Sequence, residues 1–256
     1  MRTIRFVCGI MLLVILLGTS QHSYCQETLD STWKYAKKNI IRYNVSGAII
    51  FGFDKNLILG YERIVKPNQS FSINAGAVAF PKLISILTDS FQLGKEIENK
   101  GYNFSVDYRF YLARHNKYSA PRGVYIGPFY SYNRFDRESN WNLIKVSNHQ
   151  EINTTTKFEI HTLGFELGYQ FLFWKRMALD MVMIGPGLSS YKLNTKIFGN
   201  LDDKEREQLQ EGLQQLIEQK FPGMNFIFAD KEINSSGIIN MWNIGFRYLI
   251  HIGYNF

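Results

Sequence analysis

GYNFSVDYRFYL, residues 101–112, sets Tyr102, Phe104, Val106, Tyr108, Phe110 and Leu112 on one face and Asn103, Ser105, Asp107, Arg109 and Tyr111 on the other. Period two is the side-chain period of a β-strand. The face carrying Asp107 and Arg109 would be costly to bury unpaired in an ordinary core. A polar lumen, with the greasy face turned outward, accommodates both faces at once.

The pattern recurs along the chain. YNVSGAIIFGF (43–53) reads as a first strand, LILGYERIV (57–65) as a second with Glu62 on its polar face, and SFSINAGAVAF (70–80) as a third with Ser72 and Asn74. The opening stretch is the fourth, and RGVYIGPFYSYNRF (122–135) is a fifth of unassigned facing. HTLGFELGYQFLF (161–173) places Glu166 opposite Leu163, Phe165, Leu167, Tyr169, Phe171 and Phe173. MALDMVMIGPGLSSY (177–191) places Asp180 on its polar face, and the last run, through RYLIHIGYNF (247–256), does so for Arg247 and His251. Eight runs of this length suit an eight-stranded antiparallel transmembrane β-barrel, because an open edge has no hydrogen-bond partner in lipid. Pro128 and Pro186 lie inside strands of this closed sheet, where each removes a ladder donor, so a bulge or local irregularity is expected at both.

The links support the same geometry. Those after runs two, four and six are KPNQ, the segment around RHNKYSA, and WKR, all short. Those after three (about 81–99), five (about 136–156) and seven (about 192–237) read as long. Short turns on one side and long loops on the other are expected of an outer-membrane barrel; only DKN, after run one, breaks the parity. The longest link contains one amphipathic helix by pattern: Asp202 as N-cap, Glu205 three residues on, a stripe of Leu209, Leu213, Leu216 and Ile217, and Pro222-Gly223 as a stop. With Phe221 beyond it, that stripe is a candidate docking surface; packing on its own loop or on the rim is the other reading.

Residues 1–25 read as a secretory signal. Arg2 and Arg5 precede an apolar run, Phe6–Leu17, that is too short to span a membrane and is followed by GTSQHSYC. Acylation of Cys25 is the competing reading, although Tyr24 before it is bulkier than that pattern prefers. Both cysteines, Cys8 and Cys25, then belong to the leader, and the mature chain has no thiol for a disulfide, nucleophile or metal site. The formal charge of +7 falls to +5 without Arg2 and Arg5, which suits anionic headgroups as well as a merely basic surface. Residues 26–41 are read as a periplasmic segment or tether, and 42–256 as the barrel.

An eight-stranded interior is just filled by side chains. Glu62, Asp107, Arg109, Glu166, Asp180, Arg247 and His251 are therefore expected to form an inward, paired, structural network; a gate exchanging those pairs is the functional alternative. The chain carries no Gly-x-Ser-x-Gly, HExxH, calcium-loop or phosphate-loop pattern. No cofactor or metal is expected, no nucleic-acid partner, and no enzymatic activity. A lipid-modifying hydrolase or acyltransferase relying on His149 or His161, and a soluble lipocalin-like barrel, are the alternatives.

With its signal, eight alternating runs, LGYER in run two and GFRYLIHIGYNF at the end, the chain resembles the small outer-membrane barrels of the OmpA/OmpX-like superfamily. The resemblance implies a porin-like fold in a Gram-negative outer membrane, reached by Sec export, with contact to lipid and lipopolysaccharide. It also implies insertion by the outer-membrane assembly machinery, which would read Tyr254 and Phe256, and external loops that serve as an interaction platform for a protein partner.

Overall fold

The computed structural model describes residues 37–79, 91–144, 149–198 and 238–256. The signal, most of the N-terminal segment and the helix expected near 202–221 lie outside the described residues. Eight antiparallel strands close in chain order into a barrel: β1 (Asn39–Asn44), β2 (Asn56–Lys66), β3 (Gln69–Val78), β4 (Phe91–Tyr111), β5 (Gly123–Ile144), β6 (His149–Phe173), β7 (Met177–Phe198) and β8 (Ile238–Asn255). Closure runs between β1 and β8, from Ile40 opposite Asn255 to Asn44 opposite His251. Phe256 extends the seam, exchanging backbone hydrogen bonds of 2.8 and 3.1 Å with Asn39.

The first strand differs from the sequence reading. It occupies Asn39–Asn44, ahead of the expected start, and residues 45–51 form a short helix, α1 (Val45–Phe51). Asn44 explains the switch: its side chain accepts from the Gly47 N–H at 2.9 Å and from the Ser46 hydroxyl at 3.0 Å, which caps the helix. Gly52, at φ 101°, ends it. Alternation in 43–53 is thus overridden by a local cap. The same correction lengthens the first link, which now runs from 45 to 55 and leaves the barrel on the side of the loops after β3, β5 and β7.

A second correction concerns residues 136–156. Most of them are strand: β5 continues to Ile144 and β6 begins at His149, paired from Asp136↔Lys157 to Ile144↔His149. Both faces of this stretch are largely polar, so hydrophobic alternation fades where backbone pairing does not. The wall is consequently uneven: β4 to β7 have 21–25 residues, whereas β1, β2 and β3 have 6, 11 and 10.

At the opposite end the links are tight. Trp174 and Lys175 take positive φ of 46° and 63° in the β6–β7 turn, the arrangement of a type I′ hairpin. The 112–122 segment folds back on the β2–β3 turn, where Ala120 N–H donates to Pro67 O at 2.8 Å. Ile64, Tyr111, Ala120 and Tyr125 form a buried apolar cluster that floors this end.

The prolines behave differently from each other. Near Pro186 the register shifts between Val182 and Gly185 against β8, a bulge of the kind expected. At Pro128 the register to β4 is unchanged, but pairing skips from Asp107↔Phe129 to Phe110↔Ile126. Gly127 lies in this gap, where a Cβ would stand 1.7 Å from the Tyr108 carbonyl oxygen. Gly127→Ala is expected to force the strands apart and to cost ~1–3 kcal/mol, seen as a lowered urea midpoint for the purified barrel in detergent. An unchanged midpoint would show that β4 and β5 are not held this closely.

Candidate functional site

The inward faces of six strands deliver a cluster of acidic, arginine and histidine side chains to the middle of the barrel, and a seventh adds neutral polar ones. β1 contributes Arg42, β2 Glu62, β4 Asp107 and Arg109, β6 Glu166, β7 Asp180, and β8 Arg247 and His251; β3 adds Ser70, Ser72 and Asn74. Alternation explains the placement, since each of these residues lies two or a multiple of two from other inward residues on its strand.

Asp180 is the centre. Its Oδ2 accepts from Arg42 Nη1 at 3.0 Å, Arg109 Nη2 at 2.9 Å and His251 Nδ1 at 3.2 Å, and its Oδ1 accepts from the Tyr125 hydroxyl at 2.6 Å. Asp107 accepts from Arg109 Nε at 2.7 Å, from the Ser72 hydroxyl at 2.5 Å and from Arg42 Nη2 at 3.3 Å. Glu62 takes the Ser70 hydroxyl at 2.6 Å, Gln170 Nε2 at 3.1 Å and Arg109 Nη1 at 3.5 Å. The Arg109 guanidinium lies over the Tyr125 ring, 4.4 Å from its centroid. Arg109 and Asp107 side chains are fully buried.

The cluster has a tight tier and a loose one. Glu166 stands 3.7 Å from Arg109 Nε and 3.6 Å from Arg247 Nη1, distances that balance charge without a hydrogen bond. Both Glu166 carboxylate oxygens and both terminal nitrogens of Arg247 are buried without a hydrogen-bond partner. Arg247 instead packs its guanidinium over the Phe129 ring at 4.8 Å. Above it the lumen opens into a cavity of about 340 Å³ lined by Asn56, Asn103, Asn133, Ser131, Phe129 and Arg247 among others.

All seven of the sequence-selected charged and histidine residues are brought together here. Arg42 is the one charged member the sequence reading missed, and Tyr125, on the fifth run of unassigned facing, is an uncharged one. The signal was present, because Ile40, Arg42 and Asn44 alternate with Ile41 and Tyr43, but it was hidden by the competing alternation of 43–53. Tyr254 is elsewhere, on the outer face, where its hydroxyl meets Arg176. Phe256 is half exposed beside the closing seam. Leu209, Leu213, Leu216, Ile217 and Phe221 lie outside the described residues.

The histidines are dispersed. His161 is exposed on β6, its Nδ1 2.8 Å from the Tyr130 hydroxyl and its ring 4.5 Å from that of Tyr132. His115 lies in the 112–122 link. Among the described residues no group of three His, Cys, Asp or Glu side chains is arranged to hold a metal ion.

No family model matches the chain, and no curated protein matches it. Among solved structures the chain is similar to CarO of Acinetobacter baumannii, at 9% identity and a TM-score of 0.39, over 86% of this chain and 98% of that one.

Removing one partner of a buried ion cluster leaves the others uncompensated. Arg109→Met is expected to cost ~3–5 kcal/mol, read as a urea-midpoint shift in micelles. Arg134→Met is the contrast: its pairs with Asp136 and Glu159 are partly exposed, and its loss should stay within ~1 kcal/mol. Equal shifts would mean that the central cluster is no more than a surface pair in its energetics.

Proposed function

We propose that the chain is an integral outer-membrane barrel whose filled lumen makes it a structural scaffold, and whose long-strand side serves as an interaction platform. The observation that carries the membrane reading is the outward face. Ile41, Leu59, Ile73, Phe104, Leu163 and Phe246, from six different strands, are all large, apolar and at least 40% exposed. A water-soluble barrel rarely exposes a continuous apolar surface of this extent. A lipocalin-like binder would carry its apolar side chains inside, whereas here the interior holds the ions.

Band height and borders support the same reading. On β6 the outward apolar file runs from Leu163 to Phe173, matching the ~9–11 residues that a tilted strand needs to cross. At its upper edge stand Tyr130, Tyr132 and His161, and near its other end the rings of Tyr169, Phe171 and Phe173 pack one on the next. Aromatic girdles at both edges of an apolar band are what an interface with lipid headgroups favours. Lipid and lipopolysaccharide are the partners of this belt. Export through Sec, assembly through the aromatic β8 strand and a protein partner at the loops complete the proposal, in keeping with the OmpA/OmpX-like resemblance.

The scaffold reading is favoured over a pore by the packed cluster of Arg42, Glu62, Asp107, Arg109 and Asp180, all at most 4% exposed. It is favoured over a lipid-modifying enzyme by the separation of the histidines, with His161 engaged by tyrosines and His251 by Asp180.

Two measurements test this. Ile126→Arg, opposite Leu167 at the middle of the band, should destabilise the barrel in lipid vesicles by ~2–4 kcal/mol, while leaving heat-modifiable gel mobility intact in detergent. Recovery of the wild-type protein in the aqueous fraction without detergent would overturn the membrane assignment. In planar bilayers the protein should give no stepwise conductance; steady conductance that responds to Glu62→Gln would replace the filled lumen with a gate.

A further inference from the structure

The short-turn end of the barrel carries charge of one sign. Lys66 ends β2, Arg114, Lys117 and Arg122 lie in the 112–122 link, and Lys175 and Arg176 lie in the β6–β7 turn. Among the described residues no Asp or Glu stands in these connections; each is either in the lumen cluster or, like Asp54, Asp136, Glu138 and Glu159, on the long-strand side. Such an end attracts anions. A cleft of about 390 Å³ is set into it. β5 begins at Gly123 opposite Gln170, so β6 continues through Phe171–Phe173 without β5 beside it, and the 112–122 link lies there instead. The link is fixed in place: the Asn116 side chain accepts from the Val124 N–H and donates to the Val124 carbonyl, both at 2.8 Å. Gly123, at φ 115°, makes room for it, since a Cβ there would stand 2.2 Å from Asn116 Oδ1.

The two walls of the cleft differ in chemistry. On the link side Tyr118 collects two cations: the Arg122 guanidinium carbon is 4.0 Å from its ring centroid and Lys117 Nζ is 5.7 Å from it. A ring face attracts a cation without neutralising it. No carboxylate lines the cleft, and among the described residues neither Lys117 nor Arg122 is paired with one. On the β6 side stand Tyr169, Phe171 and Phe173, their rings 4.3 and 5.8 Å apart in succession. These are the aromatic residues at the lower edge of the apolar band. Lys117, Tyr118 and Phe173 are all exposed, so both walls are reached from outside the protein. The cleft therefore sets two cations without counter-charge against the margin of the lipid-facing surface.

We infer that this cleft holds the head of an anionic phospholipid of the phosphatidylglycerol type, drawn from the leaflet at the short-turn end, with its phosphate at Lys117 and Arg122 and its chains along Tyr169, Phe171 and Phe173. The inference rests on the outer-membrane reading given above. Lysine and arginine are the side chains that bind phosphate, and a basic cluster at a membrane surface selects anionic lipid. A free anion would use the cations and leave the aromatic wall without a role. A zwitterionic head would bring its ammonium to a cleft that offers no carboxylate. The volume falls in the range of small-molecule sites.

The test is native mass spectrometry of the full chain released from micelles that hold equal amounts of phosphatidylglycerol and phosphatidylcholine with matched chains. The expected result is phosphatidylglycerol retained about tenfold over phosphatidylcholine, falling to equal retention in the Lys117→Gln/Arg122→Gln variant. Lys175→Gln/Arg176→Gln removes the same charge from the β6–β7 turn, outside the cleft, and should keep the preference. Heat-modifiable mobility shows which variants are folded; Lys117→Gln alone, at an exposed position, should lower the preference about threefold and serves if the double variant does not fold. Equal retention of the two lipids by the wild type, or equal loss in both double variants, would overturn the cleft and leave the membrane reading standing. Displacement of the lipid by excess inorganic phosphate, but not by chloride of equal ionic strength, would assign the cleft to a free anion and overturn the lipid. Recovery of the chain in the aqueous fraction without detergent would overturn the membrane reading and the lipid site with it.

Discussion

Arg109 and Asp180 meet at 2.9 Å in the middle of the barrel, and the rest of the interior is arranged around that contact. A closed eight-stranded sheet has a lumen that side chains must fill. When ions do the filling, each must find both a counter-charge and hydrogen bonds, or the desolvation cost goes uncompensated. Arg109 touches carboxylates from β2, β4, β6 and β7, and Arg42 reaches three of those same strands. Strands that are far apart in sequence are thereby held in one register around the ring.

The loose tier follows from the same constraint. Arg247 and Glu166 are close enough to neutralise one another and too far apart to hydrogen bond. Buried polar groups in that state are expected to engage a third group. Arg247 also lines the cavity above the packed cluster. Hydrogen bonding is dense around Asp180 and Asp107 and incomplete at the edge of the cluster, where Glu166 and Arg247 are held by charge alone.

Much of this was legible in period-two alternation. Asp107 and Arg109 share a face with Asn103, Ser105 and Tyr111, so their inward placement needed only the strand period. Arg42 was missed because two alternating readings overlap at Tyr43, and only the Asn44 cap decides between them. The extension of β5 and β6 through 136–156 was missed because polar residues on both faces carry no facing signal there. Its evidence is pairing such as Trp141↔Ile152, which exists only between strands.

The amino-acid sequence by itself determined the number of strands after the first, the inward side of Glu62, Asp107, Arg109, Glu166, Asp180, Arg247 and His251, and the apolar character of the outer face. These are local consequences of a two-residue repeat. The tertiary structure alone decided where β1 ends, how far the wall rises, which ions pair, and that a cavity lies above them. Each of those depends on the register between strands, and on a helix cap outweighing strand propensity at one residue, Asn44.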